Sequence, residues 1–263
     1  MKEIYSIGYD KSETLIPSLD LLRKCLLDNK TEKLRIGGIN FDYYSDKNTD
    51  SDSVNFLKYP GLLIHYIDLY SKQSFSNVLE FGIYQGGSAL FFSSVFDEIQ
   101  KYVGVDICTF NPVVDSIVSQ IGFSGKIKLY YETRQESLEI LNIIDHEFED
   151  GLDLIIDDCS HQYDYTKKSF EMTFPKLKPH GLYVIEDWGW AHTQKFQDAS
   201  VFKGKTALSY LVFELIALYV TRRDYIASVN ILGGDIVIFE RGTAEISAPF
   251  SIEDTYLFKG KNH

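Results

Sequence analysis

From Asn77 onward the sequence alternates short apolar runs with stretches of helical periodicity, and this alternation constrains the fold more than any other feature. Strands are expected at Val78–Phe81, Tyr102–Ile107, Ile127–Tyr131, Leu152–Ile156 and Leu182–Ile185. Helices are expected at Ser88–Gln100, Pro112–Gln120, Gln135–Ile144, Tyr163–Leu177 and Ala207–Tyr219. Short apolar strands separated by helices build a parallel sheet covered on both faces. The tail breaks the pattern. Tyr225–Ile231, Gly233-Gly234 and Asp235–Arg241 read as two β-rich runs around a tight turn, an antiparallel hairpin. The expected class is α/β: a mostly parallel sheet with a C-terminal antiparallel hairpin and helices on both faces.

Ahead of this core, Met1–Asp52 reads as polar and irregular, apart from an amphipathic helix at Ile16–Leu27. Asn40–Ser53, rich in Asn, Asp and Ser, reads as a loop. It carries Tyr43 and Tyr44, which are either ordinary packing aromatics or contacts to a substrate. A second helix, Asn55–Lys72, leads into the core. The domain reading is an extension over 1–72, a core over 73–243 and a tail over 244–263.

Charge narrows the partners. Lys and Arg number 26 against 38 Asp and Glu, a net charge of −12 that repels phosphate backbones and anionic lipid. Nucleic acid and membrane are therefore not expected as partners. Cys25, Cys108 and Cys159 are too few and too scattered for a disulfide framework, and none forms a CxxC pair for structural zinc. The N-terminal residues lack a continuous apolar h-region, and no run approaches a membrane span. The expectation is a reduced, cytoplasmic protein.

The first core strand runs into a glycine loop, Val78-Leu79-Glu80-Phe81-Gly82-Ile83-Tyr84-Gln85-Gly86-Gly87-Ser88, and a helix follows. Glycines here permit a tight strand-to-helix turn and close approach of a ligand to the backbone. Asp106 ends the next strand, where an acid commonly holds ribose hydroxyls. A dinucleotide fingerprint needs a second glycine where this chain has Tyr84, and no Walker lysine follows. A nucleoside cofactor without phosphates, S-adenosylmethionine, fits better, and Glu80 suits its cationic methionine end. The bland alternative is a tight turn in a structural α/β domain.

Two acidic pairs close the next strands: Ile156-Asp157-Asp158-Cys159-Ser160-His161 and Ile185-Glu186-Asp187-Trp188-Gly189-Trp190. Carboxyl ends of neighbouring strands face one crevice in such sheets. Carboxylates gathered there repel each other unless a cation lies between them, and Mg²⁺ with oxygen ligands resolves the conflict. Asp158, Glu186 and Asp187 are the expected ligands, while Asp157 either caps a turn or faces the cofactor. His161 is the candidate general base, its alternative being a structural, helix-capping histidine.

The combination VLEFG-x-x-x-GGS, VGVD, IIDDCSH and VIEDWGW resembles the cephalosporin hydroxylase family, whose relatives include macrocin-type metal-dependent sugar O-methyltransferases. The resemblance covers roughly Asn77–Arg241. It implies a Rossmann-like class I methyltransferase with Asp158, Glu186 and Asp187 on magnesium and His161, beside Asp158, as base. It further implies S-adenosylmethionine held by Glu80, Gly82, Ser88 and Asp106, with Gly86 in the same loop. Gln135, after the third strand, is expected either near adenine or at a solvated helix start. Trp188, Trp190 and His192 are expected over the crevice, where aromatic rings stack on a sugar or nucleobase, and His192–Lys205 reads as a lid. The acceptor implied is a sugar, nucleotide sugar or glycosylated small molecule, with a phosphorylated chelating metabolite as alternative. A nicotinamide-dependent oxidoreductase and a non-catalytic cofactor-binding protein are the rivals. A homo-oligomer built through the N-terminal extension is a further expectation.

Overall fold

A computed structural model of the chain describes residues 5–6, 19–27, 33–196 and 198–255. It divides into two compact units, one of Met1–Ser76 with Ile83–Glu132, the other of Asn77–Gly82 with Thr133–His263.

The first unit holds a four-stranded sheet of β1 (Tyr5–Ser6), β2 (Lys33–Ile36), β3 (Ile39–Tyr43) and β4 (Val54–Phe56), in that spatial order, with α1 (Leu19–Leu27). This corrects the reading of Met1–Asp52 as irregular and of Asn40–Ser53 as wholly loop. Polar Asn40 and Asp42 disguise a strand whose Phe41 and Tyr43 are buried. The signal that marks it is Gly37-Gly38, both at positive φ (57° and 83°), a two-residue turn that joins β2 to antiparallel β3. The helix expected from Asn55 begins later. Asn55 and Phe56 lie in β4, and α2 (Pro60–Tyr70) starts at Pro60, whose missing N–H and fixed φ suit a first helical position. The start of the helix expected at Ile16 lies outside the described residues.

The same unit contains α3 (Gly87–Val95) and the parallel pair β6 (Lys101–Val105) and β7 (Ile127–Tyr130), with α4 (Pro112–Gln120) between them in sequence; β5 (Asn77–Phe81) belongs to the other unit. Its core is aromatic. Phe41, Phe56, Phe91, Phe92 and Tyr66 meet edge-on or tilted, and Tyr70 stacks on Phe96 with ring centres 3.6 Å apart. The expectation that Phe91, Phe92 and Phe96 are core residues holds.

In the second unit, β10 (Ile226–Leu232), β11 (Ile236–Arg241), β9 (Leu177–Glu186), β8 (Leu152–Asp157) and β5 lie in that spatial order. The pairs β5–β8 and β8–β9 are parallel, and β11 and β10 add antiparallel as the expected hairpin. Helices α5 (Glu139–Glu147), α6 (Tyr163–Thr173), α7 (Leu208–Thr221) and α8 (Ile252–Thr255) complete it. α6 stops short of the expected Leu177: Pro175 cannot donate to a continuing helix, and a 3-10 turn takes over at Phe174–Lys176. Among the described residues no helix is long and apolar enough to cross a membrane.

Candidate active site

β8 and β9 run side by side with Asp157 in register with Ile185, so both acidic pairs emerge at one end of the second unit's sheet. Beyond the strand ends the chain turns sharply. Asp158 N–H donates to Phe81 O at 2.9 Å, pinning the end of β8 against that of β5. The approach is close enough that a Cβ on Gly82, at φ +88°, would lie 2.0 Å from the Asp158 carbonyl oxygen. Glycine at 82 is thus required by the backbone that carries Asp158.

The turns bring Asp158, His161 and Asp187 together, with one potential ligand atom from each lying within 4.8 Å of the others. His161 Nε2 is 3.8 Å from Asp158 Oδ1. His161 and Asp187 sit at φ +52° and +53°, a region that costs a non-glycine residue about 1–2 kcal/mol, and such strain concentrates at working sites. Asp187 is held by the hairpin tip: its N–H donates to Asp235 O at 2.6 Å, and Gly189 N–H to Gly234 O at 3.3 Å. Glu186, expected as a third carboxylate ligand, is the buried last residue of β9 and is not in the group of three. Two carboxylates within 4.8 Å repel by roughly 3 kcal/mol or more at an effective dielectric of about 20. The carboxylate oxygens of Asp158 and Asp187 suit a hard divalent cation and leave coordination positions open for other oxygen ligands, so their donor chemistry fits a metal with His161 beside it.

Asp157 turns the other way. Its Oδ2 accepts from Ser169 Oγ and Tyr183 Oη, both at 2.9 Å, and Gln135 Nε2 approaches Oδ1 at 3.4 Å. Burial pushes this carboxyl up to about 7, against three donors that favour its charged form. Gln135 also accepts from Ser160 N–H at 3.1 Å, so both ends of its amide are engaged and the turn before His161 is tied to Asp157. No sequence pattern marked Ser169 or Tyr183. Their roles depend on α6 and β9 converging on one buried carboxylate.

Past Asp187 the chain forms 3-10 turns at Trp190–His192 and Gln194–Phe196. Trp190 packs beside both His161 and Phe196, and His192 Nε2 lies 2.6 Å from Ser209 Oγ on α7. Trp188 is half-buried.

Within the first unit the glycine loop is shaped by Asp106. Its Oδ2 accepts N–H bonds from Ile83 and Tyr84, each at 2.8 Å, and its Oδ1 accepts from Cys108 N–H at 2.9 Å. Burial and the neighbouring Asp106 push the Cys108 thiol up to about 12, which removes it as a nucleophile. Gly86 caps α3 at φ +71°, and a Cβ on Gly87 would lie 2.4 Å from Asn55 O, so β4 packs directly on the helix start. Ser88 is buried in that first turn. Glu80 and Gly82, on and just past β5, belong to the second unit with the acid cluster. Tyr43 is 3 % exposed and part of the core, whereas Tyr44 is 70 % exposed, edge-on to Tyr59.

Residues 79–188 match the model of a family described as a methyltransferase domain. The chain is 31 % identical over 139 residues to the mycinamicin VI 2''-O-methyltransferase of Micromonospora griseorubida, covering 50 % of this chain and 31 % of that protein. It is 37 % identical over 60 residues to the 8-demethyl-8-alpha-L-rhamnosyl tetracenomycin-C 2'-O-methyltransferase of Streptomyces olivaceus, covering 23 % of this chain and 16 % of the relative. The structure of the MycE methyltransferase of the mycinamycin biosynthetic pathway, in complex with Mg and SAH, superposes with a TM-score of 0.52 at 26 % identity. That match covers 72 % of this chain and 51 % of MycE. A putative caffeoyl-CoA O-methyltransferase from Staphylococcus aureus, at 16 % identity and TM-score 0.52, shares the fold over 86 % of this chain. The chain thus spans a sixth to a half of the length of the sugar methyltransferases it resembles. Residues 79–188 of this chain are thus similar to a methyltransferase domain, and the chain has the class I methyltransferase fold.

Proposed function

We propose that this protein is a Mg²⁺-dependent, S-adenosylmethionine-dependent O-methyltransferase acting on a hydroxyl of a sugar in a small glycosylated metabolite. The observation that carries the reading is the convergence of Asp158, His161 and Asp187 within the stretch that matches a methyltransferase domain. The relatives support the substrate class: one is a mycinamicin VI methyltransferase, and MycE was crystallised with Mg, SAH and mycinamycin VI.

Asp158 and Asp187 would hold the metal, with Glu186 behind them as the further acidic group. When bound, the ion lowers the pKa of a hydroxyl chelated to it and neutralises the paired carboxylates. His161 takes the hydroxyl proton at Nε2, and Asp158, 3.8 Å away, stabilises the imidazolium that results. The oxygen lone pair so freed forms the O–CH₃ bond while the C–S bond of the donor breaks, leaving S-adenosylhomocysteine. Glu80, Gly82, Gly86, Ser88 and Asp106 are assigned to the donor, with Asp106 acting by shaping the loop through Ile83 and Tyr84. Gln135 and Asp157 brace the turn that carries His161. Alignment of donor and acceptor is the main contribution of such a site and is worth roughly 7–11 kcal/mol of barrier.

The 1–72 extension is assigned to acceptor or subunit contacts, Tyr44 being an exposed aromatic among its described residues. The charge of −12 and the three free cysteines suit a small-molecule acceptor and a reducing, cytoplasmic setting. Calorimetric titration with S-adenosylhomocysteine, with and without Mg²⁺ and with NADH as control, tests the class. Binding of the first and not of NADH is expected. Failure of S-adenosylhomocysteine to bind under either condition overturns the proposal.

A further inference from the structure

The segment that follows Asp187 carries an aromatic column that the mechanism has not used. The Trp190 indole is centred 4.3 Å from the His161 ring, inclined at 47°, and 4.5 Å from the Phe196 ring, inclined at 9°. Phe196 therefore stacks on the indole, while the His161 ring packs against it at a tilt. Phe202 meets Phe196 edge-on at 6.1 Å and extends the column.

The column is tethered on both sides. The turn carrying Trp190 is fixed by His192, whose Nε2 lies 2.6 Å from the buried Ser209 Oγ. It is fixed again by Thr193, whose Oγ1 donates to Trp190 O at 3.0 Å. Farther along, Ala207 forms an antiparallel bridge with Gln162, the residue after His161. Lys205 Nζ donates to Gln162 Oε1 at 2.6 Å. The segment therefore grips the histidine turn at its ring, through Trp190, and at its backbone, through Gln162.

We propose that Trp190 is a positioning residue that holds the His161 imidazole in the orientation in which it takes a proton. The proposal rests on the reading of His161 as the base.

The test uses the full chain labelled with ¹³C in histidine, one of six in the sequence being identified as His161 by the signal lost in His161→Gln. A proton packed against an indole carries a ring-current shift. The His161 Cε1–H signal is expected displaced from the other histidines, moving back among them in Trp190→Leu and staying largely displaced in Trp190→Phe. With S-adenosylmethionine and mycinamicin VI as probe acceptor, turnover should fall roughly 10-fold or more in Trp190→Leu, as misorientation of a reacting group predicts. The KM for S-adenosylmethionine should stay unchanged, and Trp190→Phe should restore most of the rate. An unmoved His161 signal in Trp190→Leu, or wild-type turnover in a variant whose signal has moved, overturns the positioning role. If His161→Gln itself turned over at the wild-type rate, the reading of His161 as base would fall instead, while the resonance would still report the Trp190 contact.

Discussion

The acids at the strand ends fall into two kinds, and the contrast between them separates scaffold from site. Asp106, in the first unit, is saturated by backbone: three N–H groups converge on its two oxygens and hold the glycine loop in shape. Asp157, in the second unit, is likewise satisfied by a hydroxyl, a phenol and an amide. Asp158 and Asp187 are arranged differently. They face each other and His161 within 4.8 Å, on a backbone strained at two of the three positions. An acid enclosed by donors serves the scaffold, whereas two acids brought close together at one site suit a cation between them.

The sharpest way to break this contrast is at His161. Replacing it with alanine should lower turnover by about 10²–10⁴-fold, the usual contribution of a general base, while S-adenosylhomocysteine still binds in calorimetry. Unchanged turnover by folded protein would place His161 with the scaffold.

Next in size is Gly82→Ala. Its Cβ would meet Asp158 O at 2.0 Å, with backbone on both sides and φ at +88°. A loss of about 2–4 kcal/mol in urea unfolding is expected, from overpacking and left-handed strain together. Mg²⁺ binding should weaken in the same variant, because Asp158 has to shift.

The two kinds of acid should also respond oppositely to the same isosteric change. Asp106→Asn removes a carboxylate that accepts three N–H bonds and turns an NH₂ toward one of them, which costs about 1–3 kcal/mol of stability. Asp158→Asn relieves like-charge repulsion, so the metal-free protein should unfold at equal or higher urea. The rise in melting temperature produced by Mg²⁺ should vanish in this variant. Equal destabilisation of both variants would erase the distinction.

The smallest effect is expected at Tyr84→Phe. The hydroxyl donates to Asp46 O at 3.1 Å on an exposed part of the loop, so its loss should cost no more than about 0.5–1 kcal/mol. Binding of S-adenosylhomocysteine should change little.

Much of this was legible in the chain itself. Strand and helix order after Asn77, the C-terminal hairpin and the two acid pairs at strand ends follow from local patterns, because burial on a sheet imprints apolar runs and turns demand glycine. The N-terminal sheet was not legible. β3 alternates Asn, Phe, Asp and Tyr, with Asp42 buried beside its apolar neighbours, and polar composition outweighed the Gly37-Gly38 turn that betrays it. The placement of Trp190 was half legible: its position after the second acid pair is local, its packing against His161 and Phe196 is not.

Sequence by itself therefore determined which residues stand at the ends of β8 and β9. Only tertiary structure decided which of the four acids meet and which are absorbed into the fold. The reason is geometric. Successive side chains leave a strand on opposite faces, so Asp157 and Asp158 diverge, and the outcome depends on turns at Gly82, His161 and Asp187 whose conformations are set by residues as distant as Phe81 and Asp235.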